Sequence, residues 1–478
     1  MSFKKRFFSS ISNLAVYNYI SQGLEFFSTI ILSRLLLPEE YGFVAMIMVF
    51  SGFIQRFSNV GISVAIVRSD YGQTFHRHLY SFSLYIGIIL SIVMVLISYP
   101  ISVFFENKDL IFPTIVFSAR FIFDSFVYIP YSLLTKRLQF KNVGIALLAG
   151  TIFQISFTII LALLGFSYWS IMIPLIFGPL VQYLFLYKKI EFGFRLYSIR
   201  AAYSVFKKIM TLMGNLSLNN TISYWTGNAD KVIVGKFYTQ ADLGLYNRAF
   251  RFIMVSTKLV TSIFSAVLLP SLKKLIAENG DVSKEYFDII KIITLFNMPI
   301  VIILIIFPTQ LVTILWGNDW IEVAKYLPYI GIILMYHSIP NTMKSVFLLY
   351  VKERNLVFIN ILLTLFTTFF VFLGAMYSMI HIMIFMTLGN IVINIPIIAF
   401  LGFVKTLKFK VRKIVEFLLL FVFSKLMVFA GVYTDNNLLK IITLFAFNII
   451  LLYQLRTTIK STLVYLVKIN PLGSKESK

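Results

Sequence analysis

Apolar runs of about twenty residues, broken by short polar stretches, recur along the whole chain. Twenty helical residues at 1.5 Å each match the roughly 30 Å hydrocarbon core of a bilayer. Read this way, the sequence predicts spans over 14–36, 42–64, 79–103, 111–134, 143–165, 168–187, 211–236, 244–270, 288–315, 326–350, 356–376, 379–403, 414–433 and 438–455, fourteen in all. The connections on one side are brief: LPEEYG, ENKDL, GFSYW, TQADLG, WGNDWIE and YTDNN. None is large enough to fold into a catalytic domain, so an enzyme such as a membrane glycan polymerase is not expected. Prolines recur within or near the spans, at Pro130, Pro174, Pro179, Pro299, Pro308, Pro328, Pro340 and Pro396. Each removes a backbone donor and can kink its helix.

A long polar stretch would have changed this picture, and there is none. Of 478 residues, 59% are hydrophobic and 13% charged, with mean hydropathy +0.86. A soluble fold could not hide that much apolar surface, so the expected class is an all-α integral membrane protein. Cysteine is absent, which excludes disulfides and thiolate metal sites. The net charge of +23 would suit nucleic acid if it formed a stripe on a soluble domain. Instead, most lysines and arginines fall in alternate loops, which places those loops and both termini in the cytoplasm, against anionic lipid heads. The start, MSFKKRFFSSIS, runs into the first span without a small-residue cleavage motif and reads as an uncleaved signal anchor.

The pattern also repeats. Residues 215–272, moved back by 202 without a gap, fall on residues 13–70. Asn13, Leu14, Asn18, Ile20, Ser21, Ile31 and Gly42 then match Asn215, Leu216, Asn220, Ile222, Ser223, Ile233 and Gly244, and Arg56 falls on Lys258. This predicts two pseudo-symmetric six-helix lobes around a central cavity, 1–187 and 210–403, in the same orientation. An interfacial linker over 188–209 would join them. Two further helices and a basic tail would fill 404–478.

Ionisable groups inside spans are costly and mark function by default. Arg56 lies about fifteen residues into the second span, roughly 22 Å deep at 1.5 Å per residue, and Lys258 has the equivalent depth in the eighth. With Arg248 and Arg251 they form a candidate anion seat; Arg248, Arg251 and Lys258 share one helix face. Snorkelling of these side chains to the interface is the alternative. Asn18, Gln22 and Glu25 share a face of the first span, and Asn18 and Asn220 correspond in the repeat. Either a substrate contact or an interhelical hydrogen-bond seam would explain them. Glu25, Asp124 and Asp230 are candidates for a proton or sodium site. Asp124 has Arg120 one turn away, and Asp230 can pair with Arg248 or Arg251 across TQADLG. His337 reads as a helix contact. No GxxxxGK[ST] or HExxH motif occurs, and histidine is scarce, so neither a cofactor nor a metal is expected.

The stretch NADKVIVGKFYTQADLGLYNRAFRF, its counterpart LSRLLLPEEYGFVAM and the span count resemble the Wzx-type polysaccharide flippases, of the superfamily that also holds the multidrug extruders and the lipid II flippase. The resemblance implies a polyprenyl-pyrophosphate-linked oligosaccharide as cargo, moved between leaflets of a bacterial inner membrane by alternating access. It also implies coupling to Na+ or H+, and membrane lipids, a polysaccharide polymerase and a chain-length regulator as partners, with no nucleic acid. The excess of basic over acidic groups in and near the spans disfavours the rival within that superfamily, an exporter of cationic drugs.

Overall fold

A computed structural model describes residues 3–59, 62–68, 72–190, 195–207, 221, 224–225, 227–257, 262–350 and 353–469. Every regular element among them is helical. In chain order these are α1 (Phe3–Leu32), α2 (Pro38–Gln55), α3 (Ile62–Arg68), α4 (Gln73–Phe104), α5 (Ile111–Lys136), α6 (Phe140–Leu163), α7 (Trp169–Tyr187), α8 (199–207), α9 (Ala229–Phe237) and α10 (Gln240–Ser256). There follow α11 (Ser262–Ala277), α12 (Val282–Ile306), α13 (Pro308–Trp316), α14 (Leu327–Leu349), α15 (Glu353–Ala375), α16 (Met379–Val404), α17 (Val411–Tyr433) and α18 (Asn437–Ile469). Among the described residues, seven helices are both long and apolar enough to cross a membrane: α4, α5 with its preceding turn, α6, α7, α12, α16 and α17.

Several predicted spans are broken where the chain carries residues that end helices. The span over 42–64 stops as a helix at Gln55, and Arg56 is its C-cap, followed by the turn Phe57–Ser58. The span over 211–236 is interrupted by a turn at Gly227 and Asn228 before α9. The span over 288–315 splits at Phe307, because Pro308 has no N–H to continue the ladder and instead opens α13. By contrast α14, α15, α16 and α17 begin and end within three residues of their predicted spans. In α16, π-helical turns at Asn390–Asn394 and Ala399–Val404 flank Pro396, as expected where proline breaks the regular bonding.

The helices form two compact units, one of Met1–Asn247 with Leu315–Trp320, the other of Arg248–Ile314 with Ile321–Lys478. In the first unit, Ile62, Leu79, Tyr80, Ile129 and Leu133 pack with Ala202 and Val205 of α8. The linker is thus held to this unit through an apolar face. Polar bonds add to it: Tyr85 donates to the carbonyl of Tyr197 at 2.7 Å and Ser81 to that of Arg195 at 3.2 Å. Trp320 returns to the same unit, where its indole N–H donates to the carbonyl of Ser33 at 2.8 Å.

In the second unit an aromatic core joins α12 to α16 and α17. Phe403 stacks on Phe409 with ring centres 4.8 Å apart, and Phe417 and Phe421 continue the column. Lys291, only 5% exposed, reaches Glu416 at 2.9 Å and Asp288 at 3.6 Å. At the α12 start, Asp281 caps the helix by accepting from the N–H of Lys284 at 3.0 Å.

Candidate functional site

The two helix starts singled out by the repeat meet. α2 begins at Pro38 and α10 at Gln240, which are 202 residues apart, the offset read from the sequence. Both carry an acid in the first turn that turns back on the residue before the helix. Glu40 accepts from the N–H of Leu37 at 2.8 Å. Asp242 accepts from the N–H and hydroxyl of Thr239 at 3.2 and 2.7 Å, and the hydroxyl accepts from the N–H of Asp242 at 3.2 Å. The second is a full capping box; in the first, Leu37 has no side-chain acceptor and only the acid half exists.

Between these caps the backbones touch. A Cβ on Gly42 would strike the carbonyl oxygen of Gln240, and one on Gly244 would strike that of Pro38. The contact is therefore reciprocal: Gly42 meets the start of α10 as Gly244 meets the start of α2. Such isologous pairing is the mark of a two-fold relation. Only glycine allows it, because any side chain would hold the helices apart.

At the far end of α2, two polar rows face each other. Arg120, Asp124, Tyr128 and Ser132 follow at intervals of four along α5, one stripe on one face. Gln55 donates to Asp124 Oδ2 at 2.7 Å, Ser58 and Tyr128 share a hydrogen bond of 2.7 Å, and Ser132 donates to Ser63 at 2.7 Å. Arg120 Nε lies 3.4 Å from Asp124 Oδ2, so the expected pairing of these two residues is present. Asp124 is 7% exposed, and a carboxylate this deep needs both partners.

Arg56 sits beside this zipper and is exposed. Its guanidinium lies 5.3 Å from the ring centre of Tyr224, and it has no acidic partner among the described residues. Tyr224 is fixed in turn. Its hydroxyl donates to the carbonyl of Val49, and its ring fills the space left by Gly52. Phe53 and Trp225, with ring centres 5.1 Å apart, extend the aromatic surface. A cation held over an aromatic face and left without a counter-ion is available to an anionic ligand.

The other expected residues are placed as follows. Asn18 is exposed on α1, beside exposed Val16, Tyr19 and Ile20. Glu25 is half-buried, and its carboxylate has no hydrogen-bond partner among the described residues. Asp230 accepts from the hydroxyl of Tyr246 at 2.7 Å, rather than pairing with Arg248 or Arg251. Its other oxygen is buried without a hydrogen-bond partner among the described residues. Arg248, 4% exposed, and Arg251, half-buried, follow on the part of α10 that belongs to the second unit. Lys258 and Asn220 lie outside the described residues, as does the side chain of His337. The sequence reading overlooked Gln55, Ser58, Tyr128 and Tyr224. The four-residue spacing on α5 was the available signal for Tyr128, while nothing in the pattern marks Gln55 and Ser58, at and after the end of α2, or Tyr224.

These helices and their polar interior define a multi-pass membrane protein with the fold of the lipid II flippase MurJ. A solved inward closed conformation of that protein is similar with a TM-score of 0.71 and 17% identity, over 93% of this chain and 99% of the other. Residues 31–325 match the polysaccharide biosynthesis protein family, and the chain belongs to it. Among its relatives, the succinoglycan biosynthesis transport protein ExoT of Rhizobium meliloti (strain 1021) is 23% identical over 69% of this chain. The match spans 66% of that relative's length. The lipopolysaccharide biosynthesis protein WzxC of Escherichia coli (strain K12) is 22% identical over 74% of this chain and 72% of its own.

Proposed function

We propose that the chain is a flippase that moves polyprenyl-pyrophosphate-linked oligosaccharide repeat units from the inner to the outer leaflet of a bacterial inner membrane, with both termini in the cytoplasm. Arg56 carries this reading. It is an exposed cation at the C-cap of α2, held on an aromatic face, without a carboxylate partner among the described residues, next to a polar wall of hydroxyl and amide groups. A pyrophosphate offers dense charge to a guanidinium, and sugar hydroxyls suit the wall. Arg248, Arg251 and Lys258 supply further basic groups to the cargo, and Asn18 and Asn220 contact its sugars. The family assignment, and relatives named for polysaccharide transport or biosynthesis, support transport rather than catalysis.

Alternating access needs an energy source. A proton or sodium ion on Asp230, Asp124 or Glu25 supplies it in this reading. Asp230 is the first choice, because one of its oxygens is buried without a hydrogen-bond partner among the described residues. Two lobes, 1–187 and 210–403, rock about the linker 188–209, while 404–478 stays outside the cycle. A polymerase and a chain-length regulator then receive the product.

The test is surface glycan in a flippase-deficient host that expresses Arg56→Ala or Arg56→Lys. Arg56→Ala is expected to lower export at least tenfold and Arg56→Lys to restore part of it. Full export by Arg56→Ala would remove Arg56 from cargo binding. A wild-type chain that fails to restore export in any such host would remove the flippase reading.

A further inference from the structure

The N-terminal end of α2 opens on a cavity of 690 Å³, separated from the Arg56 cluster by the length of α2 itself. Its wall is drawn from the connections before α5 and α7 and from the first turns of α2, α5 and α10: Glu39, Lys108, Asp109, Phe112, Tyr168 and Gln240 all contribute. The volume is in the range of small-molecule sites, about 300–1,000 Å³.

The lining has a definite chemistry. Tyr168 stacks on Phe43 with ring centres 4.2 Å apart, which fixes its plane. Phe112 is 66% exposed and is braced edge-on by Trp169 at 5.9 Å. The carboxylates of Glu39 and Asp109 have no side-chain partner among the described residues, in contrast to Glu40, which is used in the α2 cap. Flat rings meet the C–H faces of pyranoses, and carboxylates and amides accept or exchange hydrogen bonds with vicinal hydroxyls, more strongly when the group is charged. With Glu39, Glu40 and Asp109 against Lys108, the wall is net negative, so it repels uronates and accepts neutral or amino sugars.

We infer that this cavity is a saccharide-binding subsite for neutral or amino-sugar residues of the glycan, distinct from the anion contact at Arg56. It rests on the flippase reading for its role, as the place that receives the sugars after the pyrophosphate has crossed, but its ligand class follows from the cavity alone.

The experiment uses the full chain in nanodiscs, titrated by calorimetry with maltotriose, the glucosamine trimer and the galacturonate trimer. The expected result is binding of the first two, and binding of the galacturonate trimer at least fivefold weaker. Tyr168→Ala and the pair Glu39→Gln with Asp109→Asn should each weaken the preferred trimers at least fivefold, with an unchanged melting temperature. Phe112→Leu, an exposed change, serves as a third variant should Tyr168→Ala unfold. Absence of binding by all three trimers, tighter binding of the galacturonate trimer, or equal binding by wild type and variants overturns the inference. Export by the same proteins in the flippase-deficient host separates the two proposals. Export without saccharide binding sinks the subsite and leaves the flippase, and binding without export by wild type does the reverse.

Discussion

Adding one methyl group to Gly42 or Gly244 should shift the balance between transport states. In the structure a Cβ at either position strikes a backbone carbonyl of the opposite helix, and a carbonyl within a helix cannot swing aside as a side chain would. Overpacking of this kind costs about 1–3 kcal/mol. Alanine also stabilises each helix by up to about 1 kcal/mol, but that gain is the same in every state and cancels from the balance. A state in which α2 and α10 touch is therefore disfavoured by a factor of about 5–150 against one in which they part. The chain has no cysteine, so a probe pair can be introduced without background. Glu39→Cys with Gln240→Cys, two positions that line the same cavity, should cross-link readily in the parent and at least fivefold more slowly with Gly42→Ala or Gly244→Ala. Gly23→Ala, where an added Cβ meets nothing within 4 Å, should leave cross-linking unchanged. Equal cross-linking and equal export in Gly42→Ala, Gly244→Ala and the double variant would refute the reasoning.

Three further outcomes follow from the buried polar groups and caps. Asp124→Ala strands Arg120 and Gln55 and should cost about 3–5 kcal/mol, read as a lowered melting temperature; in a double-mutant cycle, adding Arg120→Ala should recover part of it. Lys291→Met removes the link from α12 to α17 and leaves Glu416 without the ammonium it pairs with, which should cost about 3 kcal/mol; adding Glu416→Gln should reduce the loss. Stability should also fall in acid. The N–H of Lys284 and the Lys413 ammonium hold the Asp281 carboxyl below its ordinary range, Lys440 does so for Asp435, and Lys236 for Glu106. Because folding lowers these pKa values, their contribution is complete above the ordinary carboxylate range and is lost as pH drops through the lowered values. Asp281→Ala should cost about 1 kcal/mol at pH 7 and flatten the acid limb of a melting-temperature profile.

What the sequence could show was set by the range of the interactions involved. Apolar length places α14 to α17 well, because hydropathy averages over a whole span and tolerates local detail. It misplaces the ends of α2, α9 and α12, where a few residues decide: Arg56 at a C-cap, Gly227 with Asn228, and Pro308. Proline signals were present at Pro308 and could have split that span. The pairing of Arg120 with Asp124 was legible because both lie on one helix. The bonds from Gln55 to Asp124 and from Tyr224 to Val49 cross 69 and 175 residues, and no local pattern announces them.

The repeat is the case where a weak sequence signal carried real geometry. A handful of identities at an offset of 202 could come from two apolar segments sharing composition. Composition, however, would not make α2 and α10 begin at the same offset, nor give each an acid that turns back on the preceding residue. Nor would it place the matched glycines in contact with each other's helix starts. These features demand agreement at single positions, since a shift of one residue on a helix turns the side chain by about 100° and removes the glycine from the crossing. The residues between Gly42 and Gly244 in space are thus under a constraint from both copies at once. A change there is felt twice, which is why one methyl group is expected to act on the balance of states and not merely on the stability of a single helix.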